Sequence, residues 1–290
     1  MRKYSNESDK GILYLVATPI GNLEDFTYRA VRILNEVDII YAEDTRNSKF
    51  LLKHYNITTP LQSYHEFNKD VKSLEIVSKL KSGMNIAIIS DAGLPVISDP
   101  GFVVAKEAIK ENLAVTTLPG ASAGISALVS SGLNPMPYMF KGFLDSKSSK
   151  RKAELLQYKY YPMTIIFYES PHRIKDTLLD VLEVLGDRQI VVARELTKKF
   201  EEYLRGSVSE VLEETKNIKG EMVLLISGYV EKKASSDNID INQKIDELIL
   251  LGNKPKEAIK EVSLMYNLDK SKVYKDYAKY KHNKVENSLG

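Results

Sequence analysis

The sequence predicts an α/β fold: two α/β domains in tandem, the first on a mostly parallel five-stranded sheet and the second on a mixed sheet, then a small helical domain. Three observations predict it. From Gly11 onward, short runs rich in Ile and Val alternate with longer amphipathic segments, the pattern of strands joined by crossover helices. A cluster of breakers, Gly132-Leu-Asn-Pro135-Met-Pro137, interrupts that alternation, and neither a helix nor a central strand tolerates it. Beyond the polar stretch Glu231 to Asn238, a flexible connection by composition, only helical periodicity remains.

The first domain is placed at residues 11–133. Its strands are expected at Ile12 to Ala17, Val37 to Tyr41, Leu61 to Tyr64, Asn85 to Ser90 and Ala114 to Leu118. Helices are expected between them near Thr27 to Leu34, Ser48 to His54, Val71 to Lys81 and Phe102 to Lys110, with a last one at Ser122 to Ser131. The second domain, at 138–228, has expected strands at Met139 to Phe143, Met163 to Tyr168, Gln189 to Ala193, Glu202 to Arg205 and Met222 to Ile226. Helices fit near Lys150 to Lys159, His172 to Leu185 and Val208 to Thr215; two strands follow each other around Lys198 without a helix, so this sheet should be mixed. At 240–284 apolar residues recur at helical spacing in three segments, a helix-turn-helix-like appendage.

The chain has 290 residues, 43% of them hydrophobic, enough for more than one buried core. Lys plus Arg total 41 against 39 for Asp plus Glu, so affinity for a polyanion has to come from local clustering and not from a global field. There is no cysteine, which excludes disulfides, thiolate zinc sites and thiol nucleophiles and fits a reducing cytoplasm. No run reaches the roughly 18 to 20 apolar residues of a membrane-spanning helix, so a soluble, cytoplasmic protein without a membrane partner is expected. Met1 to Lys10 is polar and has no signal-peptide core, consistent with a leader of no targeting role. The histidines, at 54, 65, 172 and 282, lack metal-ligand spacing, so no metal is expected.

Open α/β sheets bind ligands outside the carboxyl ends of their strands, and those ends are unusual here. They read Thr18-Pro-Ile-Gly-Asn22, Ala42-Glu-Asp-Thr-Arg46, Asp91-Ala-Gly-Leu-Pro95 with Ser98-Asp-Pro-Gly101, and Pro119-Gly-Ala-Ser-Ala123. Glycines there let backbone amides approach a ligand, and the Pro-Gly before the Ala121 to Ser131 helix exposes free N–H groups. Asp91 suits hydroxyl or amino groups of a small ligand. No dinucleotide or phosphate-cradling glycine fingerprint is present, which argues against NAD and ATP, and no nucleophile elbow supports hydrolysis.

Longer blocks carry a resemblance. Leu15-Val-Ala-Thr-Pro-Ile-Gly-Asn-Leu23, Ala42-Glu-Asp-Thr-Arg46, Ser90-Asp-Ala-Gly-Leu-Pro-Val-Ile-Ser-Asp-Pro-Gly101, Leu118-Pro-Gly-Ala-Ser122, Phe167-Tyr-Glu-Ser-Pro-His-Arg173, Ala193-Arg-Glu-Leu-Thr-Lys198 and Gly220-Glu-Met-Val-Leu224 run in this order. Together they resemble the ribosomal small-subunit methyltransferase I family of the tetrapyrrole methylase superfamily. The resemblance implies the two-domain tetrapyrrole methylase fold, S-adenosylmethionine in the cleft between domains, a homodimer, and methylation of a cytidine 2′-oxygen in 16S rRNA of the 30S subunit. It implies cofactor contacts from Pro19, from Asp91, Gly93 and Leu94, from Ala121, Ser122 and Ala123, from Tyr168, and from Met222 and Val223. Many members carry Thr where this chain has Leu94, so a hydroxyl contact there is missing.

A ribose hydroxyl is a weak acid, and its attack on a sulfonium methyl needs its proton removed. Glu169, His172, Glu43 and Asp44 are the candidates, with Glu169 alternatively a carboxylate favoured by a helix N-terminus. Alignment of the reacting atoms counts for as much as the base. Arg46, Arg173 and Arg194 suit phosphate oxygens through bidentate geometry or else pair with neighbouring carboxylates. Lys141, Lys150, Arg151 and Lys152 form a basic stretch that either grips an RNA backbone or is a solvated helix start. The last helix is similarly basic, from Lys270 to Lys284, and its Tyr274, Tyr277 and Tyr280 recur as a buried face more readily than as a base-stacking platform. The rivals are a sibling methylase with a non-RNA substrate and a non-catalytic ribosome-binding factor.

Overall fold

A computed structural model of the chain describes residues 9–215, 218–230, 240–250, 252–266 and 268–286, and side chains up to residue 281. The leader at 1–8, the connection at 231–238 and the side chains of His282 and Lys284 lie outside the described residues. The chain divides into two units, Met1–Tyr229 and Val230–Gly290.

In the first unit, β1 (Ile12–Val16), β2 (Ile39–Ala42), β3 (Leu61–Ser63), β4 (Ile86–Ile89) and β5 (Ala114–Leu118) form a parallel sheet in the order β3-β2-β4-β1-β5. Helices cover both faces, so the central β2 and β4 are buried at every position and read as continuous apolar runs. The crossovers are α1 (Tyr28–Glu36), α2 (Thr45–His54), α3 (Lys69–Lys81) and α4 (Gly101–Lys110). Their ends follow capping chemistry more than the apolar pattern. Val37 is no strand residue, because its N–H closes α1 on the Ile33 carbonyl. α2 starts three residues before Ser48, because the Asp44 side chain accepts from the Arg46 N–H and caps it.

The second sheet contains β6 (Tyr138–Phe143), β7 (Thr164–Glu169), β8 (Gln189–Arg194), β9 (Glu202–Ser207) and β10 (Met222–Ile226), in the order β6-β7-β10-β8-β9. Only β6 and β7 pair in parallel, so the sheet is mixed as predicted. Between its strands run α6 (Ser148–Gln157), α7 (Ile174–Leu185) and α8 (Val208–Glu214), whose apolar faces join Phe167, Leu178, Val192 and Leu224 in one core. α5 (Ala123–Ser131) precedes the Gly132 to Pro137 breakers in sequence yet packs on the other face of this second sheet, Ala127 and Leu128 lying against Ile166, Val191 and Leu225. Arg205 fastens its end by donating to the carbonyls of Ser131 at 3.1 Å and Ser130 at 2.7 Å. The change of sheet therefore falls between β5 and α5, and the start of α5 stands where the two sheets meet.

The second unit consists of α9 (Ile241–Leu250), α10 (Pro255–Met265) and α11 (Lys270–Glu286) around Ile245, Ile259, Val262, Val273 and Tyr277. Of the predicted tyrosine face, Tyr277 is buried and stacks on Tyr280, while Tyr274 is exposed. Among the described residues no helix is long and apolar enough to cross a membrane.

Candidate active site

A cavity of about 400 Å³ opens where the carboxyl ends of the first sheet meet the second sheet, a volume suited to a small molecule. Asp91, Gly93 and Leu94 after β4, Ser122 and Ala123 at the start of α5, Tyr168 at the end of β7, and Met222 and Val223 of β10 line it. Of the predicted cofactor positions, Pro19 and Ala121 alone do not, although their neighbours Ile20 and Ser122 do.

Local chemistry explains why these loops converge. Thr18 and Gly93 exchange backbone bonds of 2.9 and 3.1 Å, tying the ends of β1 and β4 together. Gly93 has φ +78° there, a conformation that disfavours a Cβ. At Gly120 a Cβ would stand 2.7 Å from that of Ala17, so only glycine lets the chain pass the end of β1 into α5. Between Leu94 and Gly101 the backbone is strained: Val96 has φ +83° and Ser98 φ +67°. Asp99 holds the strain by accepting from the N–H groups of Val96 at 2.8 Å and Gly101 at 3.0 Å. A β-branched residue in that region costs on the order of 1–3 kcal/mol and is found where function requires it.

Every titratable side chain that lines the cavity, apart from Tyr168, is a carboxylic acid: Glu43, Asp91, Asp99, Glu169 and Glu221. Burial pushes Asp99 above the usual carboxylate range. Burial likewise raises Glu43, reinforced by the charges of Asp91, Asp99 and Glu66 and opposed by His65. An acidic, partly apolar cavity favours a cationic small ligand over a phosphate.

The predicted proton acceptors separate sharply. Glu169 lines the cavity but is only 4% exposed, and both its oxygens are engaged. They accept from the Ser170 N–H at 2.8 Å and the Thr177 hydroxyl at 2.6 Å, with Arg173 3.4 Å away. It ties β7 to the turn before α7. Asp44 caps α2 and holds Arg46 in a two-point pair at 3.1 and 2.7 Å. The Arg46 hydrogen bond keeps its carboxyl down at about 2, leaving a poor base. His172 is exposed and does not line the cavity. Glu43 lines it, and no hydrogen bond or ion pair among the described residues engages its carboxylate.

None of the predicted RNA-binding cations lines the cavity, and each has a protein partner. Arg151 is only 3% exposed, its guanidinium on Asp180 at 2.7 Å through two nitrogens and on the carbonyls of Asp145 and Ser146. It cannot reach an RNA backbone, which corrects that expectation. Arg173 donates to the Leu144 and Asp145 carbonyls, and Arg194 pairs with Glu202. Lys152 pairs with Glu183 at 2.6 Å, Lys141 with Glu154 at 3.6 Å and Lys150 with Asp145 at 3.7 Å. Arg46 is the most open of the set, 89% of its side chain exposed. Sequence reasoning missed Asp99, Phe143 and Glu221 as lining residues; Asp99 and Glu221 stand inside quoted blocks, whereas an aromatic at the end of β6 has no signal of its own. Among the described residues no group of His, Asp and Glu is placed to hold a metal ion.

Residues 12–212 match the family model described as tetrapyrrole (corrin/porphyrin) methylases. The chain is similar to proteins named ribosomal RNA small subunit methyltransferase I. It is 47% identical to that of Streptococcus pyogenes over 281 residues, covering 95% of this chain and 98% of the relative. To that of Bacillus subtilis it is 46% identical over 281 residues, covering 94% and 96%. Among solved structures it superposes on uroporphyrin-III C-methyl transferase from Thermus thermophilus in complex with S-adenosylhomocysteine. There the TM-score is 0.54 at 16% identity, covering 75% of this chain and 97% of that one. On diphthine synthase the TM-score is 0.56 at 10% identity, covering 74% and 89%. Identities this low speak for a shared fold.

Proposed function

The chain belongs to the tetrapyrrole methylase family, and on that footing we propose that it methylates small-subunit ribosomal RNA from S-adenosylmethionine, at the 2′-oxygen of a cytidine in 16S rRNA. The cavity carries this reading: it is sized for a small molecule, walled by Leu94, Ile97, Met222 and Val223, and charged by carboxylates alone. Those residues fit the cofactor, whose sulfonium and amino groups are cationic and whose adenosine has hydroxyls and an apolar face. The relatives' name supplies the RNA substrate.

When bound, S-adenosylmethionine supplies a methyl group on a positively charged sulfur. Asp91 would accept from cofactor hydroxyl or amino groups, and the backbone N–H at the start of α5, at Ala123, would donate to its acceptors. Glu43, the unengaged carboxylate, takes the proton of the ribose hydroxyl, a contribution of roughly 10²- to 10⁴-fold. Its raised pKa sets the sign: the working form is ionised, so turnover falls as pH drops through a value above the ordinary Glu range.

The test is transfer of a labelled methyl group to 30S particles, followed by nuclease mapping. Label on a ribose, lost when the target sugar lacks its 2′-hydroxyl, is the expected result; label on a base, or transfer to a porphyrinoid and none to particles, contradicts it. We propose further that the enzyme works in the cytoplasm, as a homodimer, with exposed Val71 and Leu74 of α3 and Phe102 and Ile109 of α4 as the apolar face to be covered. Sedimentation of the full chain reads the oligomeric state directly.

A further inference from the structure

β2 and β3 are parallel neighbours with Ala42 opposite Ser63, and the Tyr64 N–H donates to the Ala42 carbonyl at 2.8 Å. The next residues, Glu43 on one strand and Tyr64-His65 on the other, therefore leave the sheet side by side. His65 is held in a defined way. Its N–H donates to Asn68 Oδ1 at 2.8 Å, which fixes which end of that amide is oxygen. Asn68 Nδ2 then faces both His65 Nε2 and the Ser63 carbonyl, each at 3.4 Å. An amide NH₂ has only hydrogens to offer, so Nε2 is the acceptor and the neutral ring carries its proton on Nδ1. That Nδ1 is buried and has no hydrogen-bond partner among the described residues, an unfavourable condition unless met in another state.

The titratable groups that act on Glu43 electrostatically are Asp91 and Asp99 from the loop after β4, Glu66 and His65. His65 is the one among them that can donate a hydrogen bond to it. We propose that His65 is a positioning residue for Glu43, its Nδ1–H receiving the Glu43 carboxylate as the substrate sugar enters, which aims the free oxygen at the ribose hydroxyl. The proton lost by the ribose oxygen goes to Glu43, and His65 keeps its own. The contact satisfies the orphaned donor and opposes the surrounding carboxylates, so the acceptor stays ionised in an acidic site. This inference rests on Glu43 being the proton acceptor.

The experiment compares the full chain with His65→Leu, His65→Asn and Glu43→Gln. Leucine keeps bulk and removes the donor; asparagine returns an N–H near the Nδ1 position. Carbon-13 NMR follows the Glu43 carboxyl titration, and methyl transfer to 30S particles gives kcat and KM against pH. In His65→Leu the Glu43 titration and the acidic limb of kcat move to higher pH. There kcat falls on the order of tenfold with KM and cofactor Kd unchanged, and His65→Asn recovers most of the loss. If Glu43 titrates identically with and without the imidazole, or if the asparagine variant is as slow as the leucine variant, His65 is a turn residue only. Should leucine prevent folding, His65→Phe, which keeps a ring without a donor, takes its place, and a Glu43 titration there equal to that of the unmodified chain overturns the proposal. A fully active Glu43→Gln enzyme refutes the proton-acceptor assignment, while the titration still decides whether the two side chains meet.

Discussion

Asp91 leaves β4 with Oδ1 accepting from the Asp44 N–H at 3.3 Å, and its remaining lone pairs open to the cavity it lines. Asp91→Ala removes a charged acceptor without disturbing a core, since the side chain is exposed. Cofactor affinity should fall by about tenfold or more in calorimetry, the value of one hydrogen bond to a charged group, with the thermal midpoint unchanged. An unaltered Kd removes Asp91 from the cofactor site. At this resolution of single residues, the sequence located the carboxylates but not their states. Glu43 and Glu169 were equal candidates in a linear reading. Thr177, eight positions on, and Arg173 consume Glu169, whereas no hydrogen bond or ion pair among the described residues engages Glu43, and that difference exists only once the chain has folded.

The pair α6 and α7 shows the same limit on a larger piece of structure. Between Lys141 and Lys152 the local sequence offers Asp145 as the main opposing charge, so the segment reads as a basic patch. The carboxylates that hold Arg151 and Lys152 come from α7, where Asp180 and Glu183 lie 29 and 31 positions away. Ser148 adds a hydrogen bond to Asp180 at 2.9 Å. Arg151→Ala leaves the buried Asp180 with only Ser148 and, at 3.6 Å, Lys152, and removing one partner of a buried pair costs up to about 3–5 kcal/mol. Denaturant unfolding should show that loss, and Arg151→Met, which restores apolar bulk, should not lessen it unless Asp180 is replaced as well. RNA affinity of still-folded Arg151 variants should be unaltered; a reduced salt dependence in them returns Arg151 to the RNA surface.

For the molecule as a whole, the question left by these pairings is where cations remain to meet a phosphate backbone. Lys270, Lys272, Lys275 and Lys279 on α11 are exposed, and no ion pair holds them among the described residues. α11 therefore offers what the α6 stretch does not. Replacing Lys272, Lys275 and Lys279 together by Ala should weaken binding to small-subunit RNA at low salt. The slope of log affinity on log salt should fall by about two, as expected for three lost phosphate contacts. A slope equal to that of the unmodified chain shows that this helix does not touch the RNA. On the first unit Arg46 is open and beside the cavity-lining Glu43.

By itself the sequence determined the α/β class, the parallel and mixed sheets, the helical tail and the strand-end loops that build the cavity. Each of these is written in short stretches of chain: apolar period, breakers, and glycines where backbone must turn or pass close by. Folding alone decided that α5 crosses to the second sheet, that Asp99 and Phe143 wall the cavity, and which charges are spent and which stay available. Availability of a charge depends on its partners in space, and for Glu169, Arg151 and His65 those partners are set by helix starts, neighbouring helices and paired strands that no local window of residues contains.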